Sequence, residues 1–136
     1  MNDISPEMLW AWLIPGYLMT FALETPVLFF WLSKPHSKSR RIAAGFWLNA
    51  CSYPIVVITV PALIGMEPRW RYLVIVETFA PLVECTLFAL AFHSVAMSAA
   101  DRRRDLAAVT VANLTSFIVG EMGASYLVAK YYLHWV

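Results

Sequence analysis

IAAGFWLNACSYPIVVITVPALI, residues 42–64, contains no Asp, Glu, Lys or Arg. As a helix rising 1.5 Å per residue it measures about 34 Å, enough to cross the roughly 30 Å hydrocarbon core of a bilayer. A strand is excluded there, because an open edge in lipid leaves backbone N–H and C=O groups unpaired. Yet the segment also holds Asn49 and Ser52, three apart and therefore on one helix face. Lipid offers that face no partner, so it must turn toward other helices.

Three more apolar stretches, about 8–32, 72–97 and 106–135, have comparable length. The chain is 60% hydrophobic and only 14% charged, against about 25% charged in soluble domains. The expected fold is an all-α membrane protein: four transmembrane helices in one domain over residues 1–136, with no room for a soluble catalytic domain. A net charge of +1 gives no reason to expect a nucleic-acid partner. Cys51 and Cys85 lie in predicted spans, lack CxxC or zinc-ligand spacing, and read as buried structural thiols. Residues 1–7 are acidic and lack the basic start of a cleavable signal peptide, so the first span is expected to be retained.

The connections set the expected topology. The first holds Lys34, His36, Lys38, Arg40 and Arg41, the third Arg102, Arg103 and Arg104, and the second Glu67, Arg69 and Arg71. Positive loops stay inside, which puts loops one and three in the cytoplasm and both termini outside an inner (plasma) membrane. Arg40, Arg41 and Arg102–Arg104 are topology determinants and candidate contacts for anionic lipid headgroups. Trp10, Trp12, Trp70, Tyr72, Tyr131, Tyr132 and Trp135 are expected to form the outer interfacial belt.

The second and fourth spans share a pattern. Ile42-Ala43-Ala44, four residues, then Asn49-x-Cys51-Ser52-Tyr53 matches Leu106-Ala107-Ala108, four residues, then Asn113-x-Thr115-Ser116-Phe117. The preceding spans match more loosely around Glu24 and Glu84, which lead their asparagines by 25 and 29 residues. The chain therefore reads as two tandem helix hairpins, about 8–64 and 72–135, that run the same way and are related by an axis along the membrane normal. Inverted repeats, common in transporters, are not what it shows.

Glu24, Glu84, Asn49, Ser52, Asn113 and Ser116 fall in one slab of the membrane, with Glu84 expected somewhat deeper than Glu24. Glu121 is expected beyond Glu84 toward the outside, and Glu77 shares a face with Glu84 near the outer surface. A charge at the bilayer centre costs at least about 2.5–3.5 kcal/mol, and Lys130 near an outer end is the one positive residue in the predicted spans. Three states of the two carboxyls are physically open: protonation, binding of a cation with the Asn and Ser oxygens, or pairing with a cation from another subunit. Interhelical hydrogen bonding is the plainer role for the Asn and Ser residues, and capping of carbonyls freed by Pro26, Pro54 and Pro81 is another. His36, His93 and His134 are too dispersed for a metal cluster, and no cofactor is expected. Gly120 and Gly123, with Ala124 and Ser125, form a small-residue strip suited to close packing.

The Glu24-Thr25-Pro26, Asn49-x-x-Ser52-Tyr53-Pro54, Val83-Glu84 and Ala112-Asn113-x-x-Ser116-x-x-x-Gly120 runs together resemble small four-helix bacterial membrane proteins usually described only as hypothetical. The resemblance covers nearly the whole chain and implies no activity. Small multidrug exporters share the size and a first-helix glutamate, but their surrounding motifs are absent. The leading functional expectation is proton or hard-cation transport by a homo-oligomer, since all-oxygen ligands suit protons and hard ions. The alternative is an accessory or scaffold subunit of a larger membrane complex. An intramembrane enzyme using Ser52 or Ser116 lacks a nearby histidine base.

Overall fold

The computed structural model describes the backbone of residues 6–66 and 68–132, and the side chains of Glu7 and of residues 10–66 and 68–123. Predicted features at Glu67, Ala124, Ser125, Lys130, Tyr131, Tyr132, His134 and Trp135 lie outside the described residues or side chains. The described chain is all-α: α1 (Pro6–Trp31), α2 (Lys38–Pro54), a π-helical turn (Ile55–Thr59), α3 (Val60–Ile64), α4 (Arg69–Ala91) and α5 (Ala99–Tyr132). α2, the π turn and α3 form one continuous rod, so four segments are long and apolar enough to cross a membrane: Trp10–Trp31, Lys38–Ile64, Arg69–Ala91 and Ala99–Gly123.

Hydropathy alone misplaces the helix ends near the basic loops. α2 starts at Lys38 rather than Ile42, because Ser37 caps it: its hydroxyl accepts the Arg40 N–H at 3.3 Å. α4 ends at Ala91 rather than near Met97, and α5 starts at Ala99 rather than Leu106. Ser98 and Asp101 form a capping pair, in which the Ser98 hydroxyl accepts the Asp101 N–H at 3.1 Å and donates to its carboxylate at 2.7 Å. The polar residues 101–105 are helical although they are not apolar. One consequence matters for the site. Glu24 and Glu84 each stand seven residues from the basic end of their helices, about 10 Å along the axis. Glu84 is therefore no deeper than Glu24.

The helices close into a ring in which α1 touches α2 and α5, and α4 touches α2 and α5; α1 is diagonal to α4, and α2 to α5. The same positions are buried in each half: Leu28 one turn below Glu24 and Phe88 one turn below Glu84, with Ala44, Leu48 and Asn49 of α2 matching Ala108, Ala112 and Asn113 of α5. The buried apolar layer is thin, consisting of Leu28, Leu32, Ala44, Leu48, Phe88, Ala108, Val109 and Ala112. Large apolar side chains such as Phe30, Leu63, Leu82 and Met122 face outward. In water such a surface would drive association; against lipid it is the expected exterior. α1 and α2 approach closely at Gly45, where an added Cβ would collide with the Thr25 hydroxyl.

The basic end is pinned by a polar cluster that the sequence reading did not anticipate. Asp105, 1% exposed, accepts the Ser33 N–H at 2.6 Å, the Ser33 hydroxyl at 2.9 Å and His36 Nε2 at 3.0 Å. His36 is itself buried and packs against the Phe88 and Phe92 rings. Arg41 donates to the carbonyls of Phe29, Ser33 and His36, and Arg104 to that of Trp31. Through Phe29 and Trp31 these arginines satisfy two carbonyls in the last turn of α1, where a positive charge also suits the helix dipole. Arg102 reaches the His93 carbonyl at 3.4 Å, while Arg40 and Arg103 are exposed.

Candidate functional site

Glu24 meets Asn49, and Glu84 meets Asn113, as the 25- and 29-residue spacings suggest. Asn49 Nδ2 donates to Glu24 Oε2 at 2.9 Å, and Asn113 Nδ2 donates to Glu84 Oε2 at 2.8 Å. Each amide also donates one turn back along its own helix, to the Gly45 carbonyl at 2.9 Å and the Val109 carbonyl at 3.0 Å. Both amides are thereby held in one orientation, with their N–H groups toward the carboxylates.

The serines cross between the halves. Ser52 of α2 donates to Glu84 Oε1 at 2.5 Å, and Ser116 of α5 donates to Glu24 Oε1 at 2.6 Å. Every carboxylate oxygen thus accepts one neutral donor, and each glutamate is tied to both hairpins. The result is a closed ring running through all four rods: Glu24, Asn49 and Ser52 on α2, Glu84, then Asn113 and Ser116 on α5, and back to Glu24. Glu24, Glu84, Asn49 and Ser52 are at most 2% exposed and Asn113 is 5% exposed. Burying so many polar atoms is tolerable only because they satisfy one another.

The ring borders a cavity of about 120 Å³. The buried apolar layer with Leu28, Leu48, Phe88 and Ala112 lies one turn toward the basic loops and does not line it. Away from the basic loops the cavity extends past Thr20, Tyr53, Val56 and Glu77. A water molecule needs roughly 10–15 Å³ on this measure, so several fit. Glu77, half-buried, adds a third carboxyl to the lining, and the described lining includes no Lys, Arg or His. Further out, Arg69 of α4 donates to both carboxylate oxygens of Glu121 on α5 at 2.8 Å.

The rod containing α2 is altered beside this cavity. In the π turn the Val60 N–H bonds the Ile55 carbonyl, five residues back. The next carbonyl in that register, Val56, would need the N–H of residue 61, which is a proline and has none. The Tyr72 hydroxyl fills the gap, donating to Val56 O at 3.1 Å. Tyr72 is therefore half-buried with its hydroxyl on the rod, whereas Trp10, Trp12 and Trp70 are exposed.

Other sequence candidates lie apart from the ring. Cys51 is exposed on the outer face and Cys85 is partly buried beside Thr110, so neither is the fully buried thiol expected. His93 caps the Leu90 carbonyl at 2.8 Å. A Cβ added at Gly120 would only reach ordinary contact with the Met19 methyl, and one added at Gly123 would meet nothing. Among the described residues no three His, Cys, Asp or Glu side chains converge closely enough to hold a metal ion.

Fold and surface together define a small four-helix protein of membrane-spanning character with a polar chamber at its centre. No protein-family model, curated protein or solved structure matches the chain.

Proposed function

We propose that the chain is a small multi-pass membrane transporter or channel component whose central chamber takes up a proton. The observation that carries this reading is a water-sized chamber lined by Glu24, Glu84 and Glu77 with no cationic side chain in its described lining. Buried carboxyls without a counter-charge are costly as anions in a low-dielectric setting, and a proton removes that cost. A hard cation is the second species to consider, but all four oxygens of Glu24 and Glu84 already accept an N–H or O–H. A metal ion would have to fit its coordination shell around those donors, whereas a proton needs only one free lone pair.

The form of the subunit hypothesis that pairs these acids with a partner's arginine is less favourable. Such a side chain would have to enter a closed ring of helices to reach groups that are at most 2% exposed. The serines lack a histidine among the residues lining the chamber, which argues against a nucleophilic hydrolase.

The test is reconstitution of the whole chain in sealed vesicles containing a pH-reporting dye. A pH step should produce flux above that of empty vesicles, and matched Na⁺ and Mg²⁺ gradients should not replace it. Flux equal to that of empty vesicles for every cation would remove the transport reading.

A further inference from the structure

The ring looks two-fold symmetric, yet its hydroxyl groups are not equivalent. Ser116 Oγ lies 2.6 Å from Glu24 Oε1 and also 2.9 Å from the main-chain carbonyl of Asn113. Ser52 Oγ has Glu84 Oε1 at 2.5 Å and no second acceptor among the described residues. A hydroxyl carries a single proton to donate and two lone pairs to accept with. Ser116 can therefore stand in two hydrogen-bonded states, and Ser52 in one.

Resting on the proton-uptake reading above, we infer that Glu24, and not Glu84, is the carboxyl that receives the proton, and that Ser116 is the positioning residue that permits it. With Glu24 ionised, the Ser116 O–H donates to Oε1. When a proton arrives at Oε1, the new Glu24 O–H donates to Ser116 Oγ, and the Ser116 O–H turns to the Asn113 carbonyl. Asn49 keeps donating to Oε2 throughout. No heavy atom moves, no bond between heavy atoms changes, and every donor keeps an acceptor.

The same event at Glu84 has no second protein acceptor to use. If the proton sits on Oε1 and donates to Ser52, the Ser52 O–H must leave the ring and turn to the chamber. If it sits on Oε2, it confronts the Asn113 N–H, which is held in place by its second bond to the Val109 carbonyl. Glu84 therefore lacks the protein-built switch that Glu24 has, and is the carboxyl less suited to take the proton. The surroundings of Glu24 favour the same division. The ionisable groups facing it are Glu84 and Glu77, both on α4; its contacts from α2 and α5 are the neutral Asn49 and Ser116.

Infrared difference spectroscopy between acidic and alkaline buffer, on the full chain in lipid nanodiscs, reads the protonated-carboxyl band directly. The expected result is a band that disappears in Glu24→Gln and persists in Glu84→Gln. Ser116→Ala should shift the band and its titration midpoint, Ser116→Thr should restore both, and Ser52→Ala should keep the band frequency while moving the midpoint less than Ser116→Ala does. The serine variants keep the carboxyls intact and so do not depend on the Gln variants folding. A band that survives Glu24→Gln and vanishes in Glu84→Gln would overturn the inference while leaving proton uptake standing. Equal shifts in Ser116→Ala and Ser52→Ala would also overturn it. A wild-type chain with no titrating carboxyl band would remove the proton-uptake reading itself.

Discussion

Replacing Asp105 with alanine removes a single acceptor that three donors share: the Ser33 N–H, the Ser33 hydroxyl and His36 Nε2. All three residues are no more than 2% exposed, so water does not substitute freely. Three bonds at the average worth of a polar contact between membrane helices, about 0.6 kcal/mol, set a floor near 2 kcal/mol. Three buried donors left unpaired at about 1–3 kcal/mol each set a ceiling near 9 kcal/mol. The Ser33 hydroxyl can rotate and the three losses are not independent. The expected destabilisation is therefore about 3–5 kcal/mol, the range found when one partner of a buried pair is deleted. Reversible unfolding in mixed micelles with increasing denaturing detergent measures it. His36→Ala should cost much less in the Asp105→Ala background than in the wild type, because its acceptor is already gone. A loss below about 1 kcal/mol for Asp105→Ala, or additive effects of the two changes, would refute the reasoning.

Gly45→Ala should destabilise by about 1–3 kcal/mol, because the new methyl meets the Thr25 side chain. Thr25→Ala in the same chain should recover most of that, and the same detergent titration checks it; failure to recover would place the strain elsewhere. Tyr72→Phe leaves the Val56 carbonyl without its donor, at an expected cost of about 1–3 kcal/mol. Amide hydrogen exchange should then quicken across the π turn and α3 while α1 is unaffected; unchanged exchange there would mean that Tyr72 does not support the π register. The Arg69–Glu121 pair is partly exposed, so Arg69→Gln should change stability by no more than about 1 kcal/mol; a larger loss would show the pair to be better shielded than its exposure indicates.

The four spans were legible because lipid leaves few alternatives: about 20 predominantly apolar residues in a row, with few charges, have to be helices. The pairing of Glu24 with Asn49 and of Glu84 with Asn113 was legible because hairpin geometry brings residues equally distant from a loop to the same depth. The exchange of Ser52 and Ser116 between hairpins was not, since it depends on which helices become neighbours around the ring. Helix ends were misjudged where the helix continues past the apolar stretch into charged residues. The Ser98-x-x-Asp101 cap was visible in the sequence but lay beyond the apolar window. The Ser33–His36–Asp105 cluster was hidden for a related reason. Asp105 sits in the run Asp101-Arg102-Arg103-Arg104-Asp105, which reads as a solvated face, and only the angular placement on α5 turns that acid inward. The π turn was not legible either: Pro61 removes a backbone donor in α or π register alike, and which register the rod takes depends on the partner that Tyr72 supplies.

The central claim is that the buried carboxyls, and not the helices alone, give this molecule its activity. Proton flux across sealed vesicles, compared between the wild type and the Glu24→Gln/Glu84→Gln chain at equal incorporation, tests it most directly. Glutamine keeps the size and an acceptor oxygen while abolishing ionisation, so the bundle should still assemble and flux should fall to the level of empty vesicles. Undiminished flux in the doubly substituted chain would mean that the carboxylate ring only holds the four helices together.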